Sequence, residues 1–139
     1  MLKEDKLSHY VETYKIEWAD SLPENCPPED ILIPEDEEFY RFIKNDNKIV
    51  QEDWISYAKL SPNKYNGNDL ILASGLSVLK NIDTKKIIKL PAMKHHKAIA
   101  KIILNPTDGV LKKTGNNKDH YTWWRTSLFD DTKAEILKI

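Results

Sequence analysis

The sequence predicts an α+β fold: a mostly antiparallel sheet with about three short helices packed on it, in a single domain. Two observations carry that expectation. Runs rich in β-branched and aromatic residues recur at 39–43, 76–79, 99–104, 110–114 and 120–125, each bounded by turn-forming residues. Apolar residues fall at helical spacing near the N-terminus and again around Trp54.

The elements follow in order. Leu7, Tyr10, Val11, Tyr14 and Trp18 form the stripe of an amphipathic helix, so residues 1–20 are assigned to an N-terminal helix that Pro23 ends at the latest. Its three aromatics, Tyr10, Tyr14 and Trp18, are candidate anchors for a partner chain or for the protein's own core. Residues 21–38 form an acidic, proline-rich connector in which Ile31-Leu32-Ile33 is a short extended segment reaching the core. The remainder, 39–139, is expected to be the sheet core. Within it a second helix is read from Val50, Trp54, Tyr57 and Ala58, and KYNGND (64–69) is read as a loop. Gly75 marks a bulge or a close backbone approach before a strand at 76–79. Asp83 caps a third helix at 84–90, Asn105 to Gly109 turns the chain back antiparallel, and 134–139 adds a terminal strand.

At 139 residues the chain is long enough for one core covering about two-thirds of the unfolded surface. No run approaches the roughly 18 apolar residues of a membrane span, and no signal peptide is read at the start. The lone Cys26 makes neither an internal disulfide nor a zinc site, which points to a soluble protein of the reducing cytoplasm. Its acidic neighbourhood is expected to raise the thiol pKa and argues against a reactive cysteine. His95-His96 diverge by about 100° on a helix, so no metal is expected, and no cofactor is assigned.

The net charge of −1 conceals an asymmetry. Residues 1–40 carry three lysines against twelve acids, whereas the Lys-rich 80–118 region carries ten lysines against Asp83 and Asp108. An acidic arm folds over a basic face, or that face meets an anionic partner. Only Arg41 and Arg125 are arginines. Arg41, inside an apolar strand, requires a partner: an acid of the N-terminal arm or an anionic ligand.

Chemistry concentrates in His120-Tyr121-Thr122-Trp123-Trp124-Arg125. On a strand, His120, Thr122 and Trp124 share one face and Tyr121, Trp123 and Arg125 the other, with only one set expected in the core. Arg41, Ser77 and His120 are the candidate catalytic residues, with His120 as general acid or base. Thr122, Trp124, Lys112 and Lys113 are candidate binding residues.

The pattern Cys26-Pro27-Pro28, Phe39-Tyr40-Arg41, Asp53-Trp54-Ile55-Ser56, Gly75-Leu76-Ser77-Val78, Gly109-Val110 and His120-Tyr121-Thr122-Trp123-Trp124 resembles a family of small bacterial proteins that carries no settled activity. The resemblance spans about residues 17–124 and marks Arg41, Ser77, His120 and Trp124 as matching positions. The order of a strand bearing Arg, a helix, a strand bearing Ser, a helix and a hairpin is also similar to ADP-ribosyltransferase-like folds. Those enzymes hold NAD with a basic strand residue and a hydroxyl and usually use a late glutamate, for which this chain offers only Glu135.

Three functions follow as expectations. The first is a protein-interaction module, a partner or regulatory subunit in a bacterial gene system of defence or toxin–antitoxin type. The second is a nucleotide-handling enzyme, ADP-ribosyltransferase-like or otherwise, built on Arg41, Ser77 and His120. The third is a nucleic-acid-binding protein using the 80–118 region.

Overall fold

In the computed structural model, which describes residues 6–82 and 98–138, all six strands join one antiparallel sheet. The strands are β1 Glu37–Ile43, β2 Leu76–Leu79, β3 Ala98–Leu104, β4 Gly109–Lys113, β5 His120–Arg125 and β6 Glu135–Lys138. Their order across the sheet is β4-β5-β2-β1-β3-β6. The described helices are α1 Lys6–Tyr14, α2 Tyr57–Leu60 and α3 Gly67–Ala73, with 3₁₀ turns at Gln51–Trp54 and Asp131–Lys133. The α+β class is therefore the one expected. The third helix read at 84–90 and His95-His96 lie outside the described residues.

Strand alternation sends side chains to two covered faces. On the first, Phe39, Ile43, Val78, Ala100, Ile102 and Trp123 pack beneath Trp54, Ile49 and Phe129. Trp54, Trp123 and Phe129 meet edge-on there, with ring centroids 4.8–6.4 Å apart. On the second, Val110 and Trp124 pack beneath Tyr10, Ile16 and Ile31, with Ile71 and Leu72 of α3 alongside. This corrects the expectation that only one side of 120–125 reaches a core. Because β5 lies inside the sheet with cover on both faces, Trp123 and Trp124 are each 0% exposed.

Helix α1 stops short of the expected residue 20. Lys15 turns left-handed (φ 53°) and the Ile16 amide bonds back to Val11 O at 3.0 Å, a Schellman ending. Trp18 then runs extended and bridges Thr126. Leu32 exchanges backbone hydrogen bonds with Leu111 (2.7 and 2.8 Å), so the proline-rich connector extends the sheet beside β4, and Ile31 is buried as expected.

The helix read from Val50 to Ala58 divides in two. Trp54 ends a 3₁₀ turn and enters the core, Ile55 is extended, and Ser56 caps α2 by accepting the Lys59 amide at 3.3 Å. The 64–69 loop gives way at Gly67 (φ 56°) to α3, whose C-terminal Ser74 Oγ donates to Leu70 O at 2.7 Å. Gly75 is a close approach and not a bulge. A Cβ there would lie 3.1 Å from Trp123 O and 3.2 Å from Trp124 Cε2, and would strike Thr122 Cγ2.

Candidate functional site

A seam in the sheet creates the site. β1 and β3 pair along seven residues, whereas β1 and β2 pair only where Tyr40 faces Leu79. Beyond that point the Arg41 guanidinium spans the gap. Its Nε donates to Asp53 O at 2.6 Å and its Nη1 to Ser77 O at 2.9 Å. Arg125 of β5 donates from Nη2 to Trp54 O at 3.3 Å. The chain's two arginines thus fasten consecutive carbonyls of one loop to the sheet. Asp53 completes the fastening: its buried carboxylate accepts the Lys44 amide at 3.0 Å and the Val50 amide at 2.9 Å.

No acid of the N-terminal arm pairs with Arg41 among the described residues, so that expectation is corrected. Backbone carbonyls of the Gln51–Trp54 turn and of β2 take the acid's place. Burial lowers the Arg41 pKa to about 10, partly opposed by Tyr57 and Asp53, so the group stays cationic at neutral pH.

Arg41 and Ser77 border one groove of about 290 Å³ with Lys44, Glu52, Ile55, Tyr57 and Leu60. Lys44 and Glu52 form an ion pair at its rim. Across α2 lies a larger cleft of about 710 Å³, bounded by Leu22, Pro23, Tyr65 and Leu70. Ser56 borders both, and Lys59 pairs with Asp20 at 3.2 Å beside the larger cleft. Helix α2 is the ridge between them, with Tyr57 59% and Leu60 58% exposed.

His120 stands apart from Arg41. Register places His120, Thr122 and Ser77 on the second face, opposite the face from which Arg41 projects. The His120 Nδ1 lies 3.1 Å from both Thr114 O and Thr114 Oγ1. A carbonyl only accepts, so Nδ1 carries the proton and Nε2 keeps its lone pair. Burial lowers the His120 pKa, with Lys113 adding to the effect, which favours the neutral ring. Thr114 Oγ1 also meets Thr122 Oγ1 at 2.8 Å. His120 and Thr122 thus close the β4–β5 loop.

The remaining candidates have protein partners. Trp124 is buried and donates Nε1 to Ile71 O at 3.1 Å. Lys112 pairs with Asp30 at 3.0 Å, and Lys113 donates to Asn117 O at 2.6 Å. Lys80 pairs with Glu37 at 3.5 Å and Lys101 with Glu135 at 3.2 Å. The acidic arm therefore meets the described part of the basic region at two points, Glu37 and Asp30.

Of the N-terminal aromatics, Tyr10 is a core residue rather than a surface anchor, 1% exposed with its hydroxyl 2.6 Å from Pro106 O. Trp18 is half-buried and Tyr14 exposed. Cys26 is half-buried, and burial, not the acidic neighbours, pushes its thiol up to about 12. Among the described residues no three His, Cys, Asp or Glu side chains gather as metal ligands. No described helix is long and apolar enough to cross a membrane.

Tyr57, Leu60 and Ser56 were not among the sequence candidates. Tyr57 reads only as part of the stripe of a helix starting at Val50. The one sequence indication was Ser56 at an N-cap position ahead of a Pro62 stop. No protein-family model, no curated protein and no solved structure matches this chain.

Proposed function

We propose that the protein is an interaction module that binds a partner polypeptide across α2 and its two flanking clefts. The exposure of Tyr57 and Leu60 on that ridge carries the proposal. Large apolar side chains beside concave surface are suited to anchoring an interface. The ridge is also held from beneath, through the Ser56 cap and the two arginine clamps, which limits the ordering cost of docking. In this reading the protein is a cytoplasmic partner or regulatory subunit of a bacterial gene system, of defence or toxin–antitoxin type. Its resemblance to the small bacterial family with the CPP, FYR, GLSV and HxTWW pattern supports that setting.

Co-purification from the native host tests it. The proposal expects a stoichiometric protein partner with the wild-type chain, lost on Tyr57→Lys and Leu60→Lys and kept on Leu128→Lys, whose side chain is exposed away from α2. Retention by all three variants, or loss with Leu128→Lys as well, overturns it.

One observation favours a second reading, a nucleotide-handling enzyme of ADP-ribosyltransferase-like type. Arg41 and Ser77, the strand cation and the hydroxyl of that resemblance, border one groove. The Ser77 and His120 side chains would act from the face of the sheet opposite Arg41, without the late glutamate those enzymes usually use. Hydrolysis of NAD by the purified chain, abolished by Ser77→Ala, would favour this reading over the first.

A further inference from the structure

The groove at the parting of β1 and β2 holds a cation with no counter-charge paired to it. A guanidinium has five N–H donors. Arg41 commits Nε and Nη1 to the Asp53 and Ser77 carbonyls; its Nη2 has no partner among the described residues and is not sealed from solvent. The acids bordering the groove are already engaged, Glu52 by Lys44 and both Asp53 oxygens by backbone amides. Ser77 enters the same groove through its backbone carbonyl, the acceptor of Arg41 Nη1. Ile55, Tyr57 and Leu60 supply apolar surface beside the guanidinium.

We infer that this groove is a carboxylate site: it takes an Asp or Glu side chain of the partner polypeptide, held by Arg41 Nη2. This rests on the interaction reading above and specifies the partner's chemistry. Apolar residues flanking that acid would cover Tyr57 and Leu60. A carboxylate fits better than a phosphate because Glu52 and Asp53 already place negative charge at the groove, and a dianion meets more repulsion than a monoanion. Arg41 is suited to the task because its fork is held in place before any ligand arrives, so little side-chain freedom is lost on pairing.

With only two arginines, the chain gives two arginine Nε–H resonances, which makes the test direct. The wild-type protein is titrated with 3-methylbutanoate, a carboxylate on an apolar body, then with 3-methylbutanamide and with inorganic phosphate. The expected result is a saturable shift of the Arg41 resonance with the carboxylate, none with the amide, and an unmoved Arg125 resonance. Arg41→Gln assigns the peak and abolishes the response; if that variant does not fold, Leu60→Glu, which sets a negative charge at an exposed position bordering the groove, should weaken the response. Silence at Arg41, or parallel unsaturated drift of both arginines, overturns the site. A tighter response to phosphate overturns the carboxylate assignment in favour of a phosphoryl group. A partner still lost on Tyr57→Lys and Leu60→Lys while Arg41 stays silent would retain the interaction reading and remove only this site.

Discussion

Arg41 makes two hydrogen bonds to carbonyls that the sheet itself leaves unpaired, and their loss should be felt at both ends. Arg41→Gln is expected to destabilise the fold by about 1.5–3 kcal/mol, the range for hydrogen bonds from a charged donor, as measured by urea unfolding. Arg41→Lys should recover little of this, because an ammonium cannot span two acceptors as a planar fork does. His120 predicts a pH dependence. Its folded pKa lies below the ordinary histidine value, so the unfolded chain takes up the proton first. The stability of the neutral ring is then present above the unfolded pKa of about 6.5 and lost as pH falls through the folded value. The stability gap between wild type and His120→Gln should therefore narrow between about pH 8 and pH 5; a constant gap contradicts the assignment. At this scale the sequence made it clear that Arg41 needs a partner and that His120 sits among donors. It did not reveal which partners, because Asp53 O, Ser77 O and Thr114 O are backbone acceptors brought in by folding, and side-chain pattern does not encode them.

Among the elements, Gly75 is the most sensitive position between α3 and β2. A methyl group there meets the Trp123 carbonyl and the Trp124 ring, so Gly75→Ala is expected to cost about 1–3 kcal/mol as an overpacked site, read as a lower unfolding midpoint. Helix α2 behaves in the opposite way. Tyr57→Lys and Leu60→Lys alter exposed side chains and should change stability by no more than about 0.5 kcal/mol. Strands were the most legible elements, since β-branched and aromatic runs bounded by turns identify them directly. The helices were less so. Trp54 and Tyr57 are spaced as on one helix, yet extended Ile55 separates them and sends one ring inward and the other outward. The end of α1 was hidden because Lys15, not glycine, takes the left-handed position.

At the level of the whole molecule, the charge asymmetry was legible and its outcome is partly visible. Glu37 and Asp30 of the acidic arm meet Lys80 and Lys112. These pairs lie near the surface, so their removal should cost far less than the loss of Arg41, and their contribution should fade with added salt. Sheet order was not legible, and neither was the seam that follows from it. β1 sits beside β2 through a single facing pair, and that parting brings Arg41, Ser77 and α2 to one groove. The account rests on α2 being a binding ridge. The most direct test is the affinity of the purified partner for wild-type protein and for Leu60→Lys at matched stability. The account predicts that Leu60→Lys weakens binding by at least about 2 kcal/mol, roughly thirtyfold, with the unfolding midpoint unmoved and Leu128→Lys binding as wild type. Equal affinity for wild type and Leu60→Lys would contradict it.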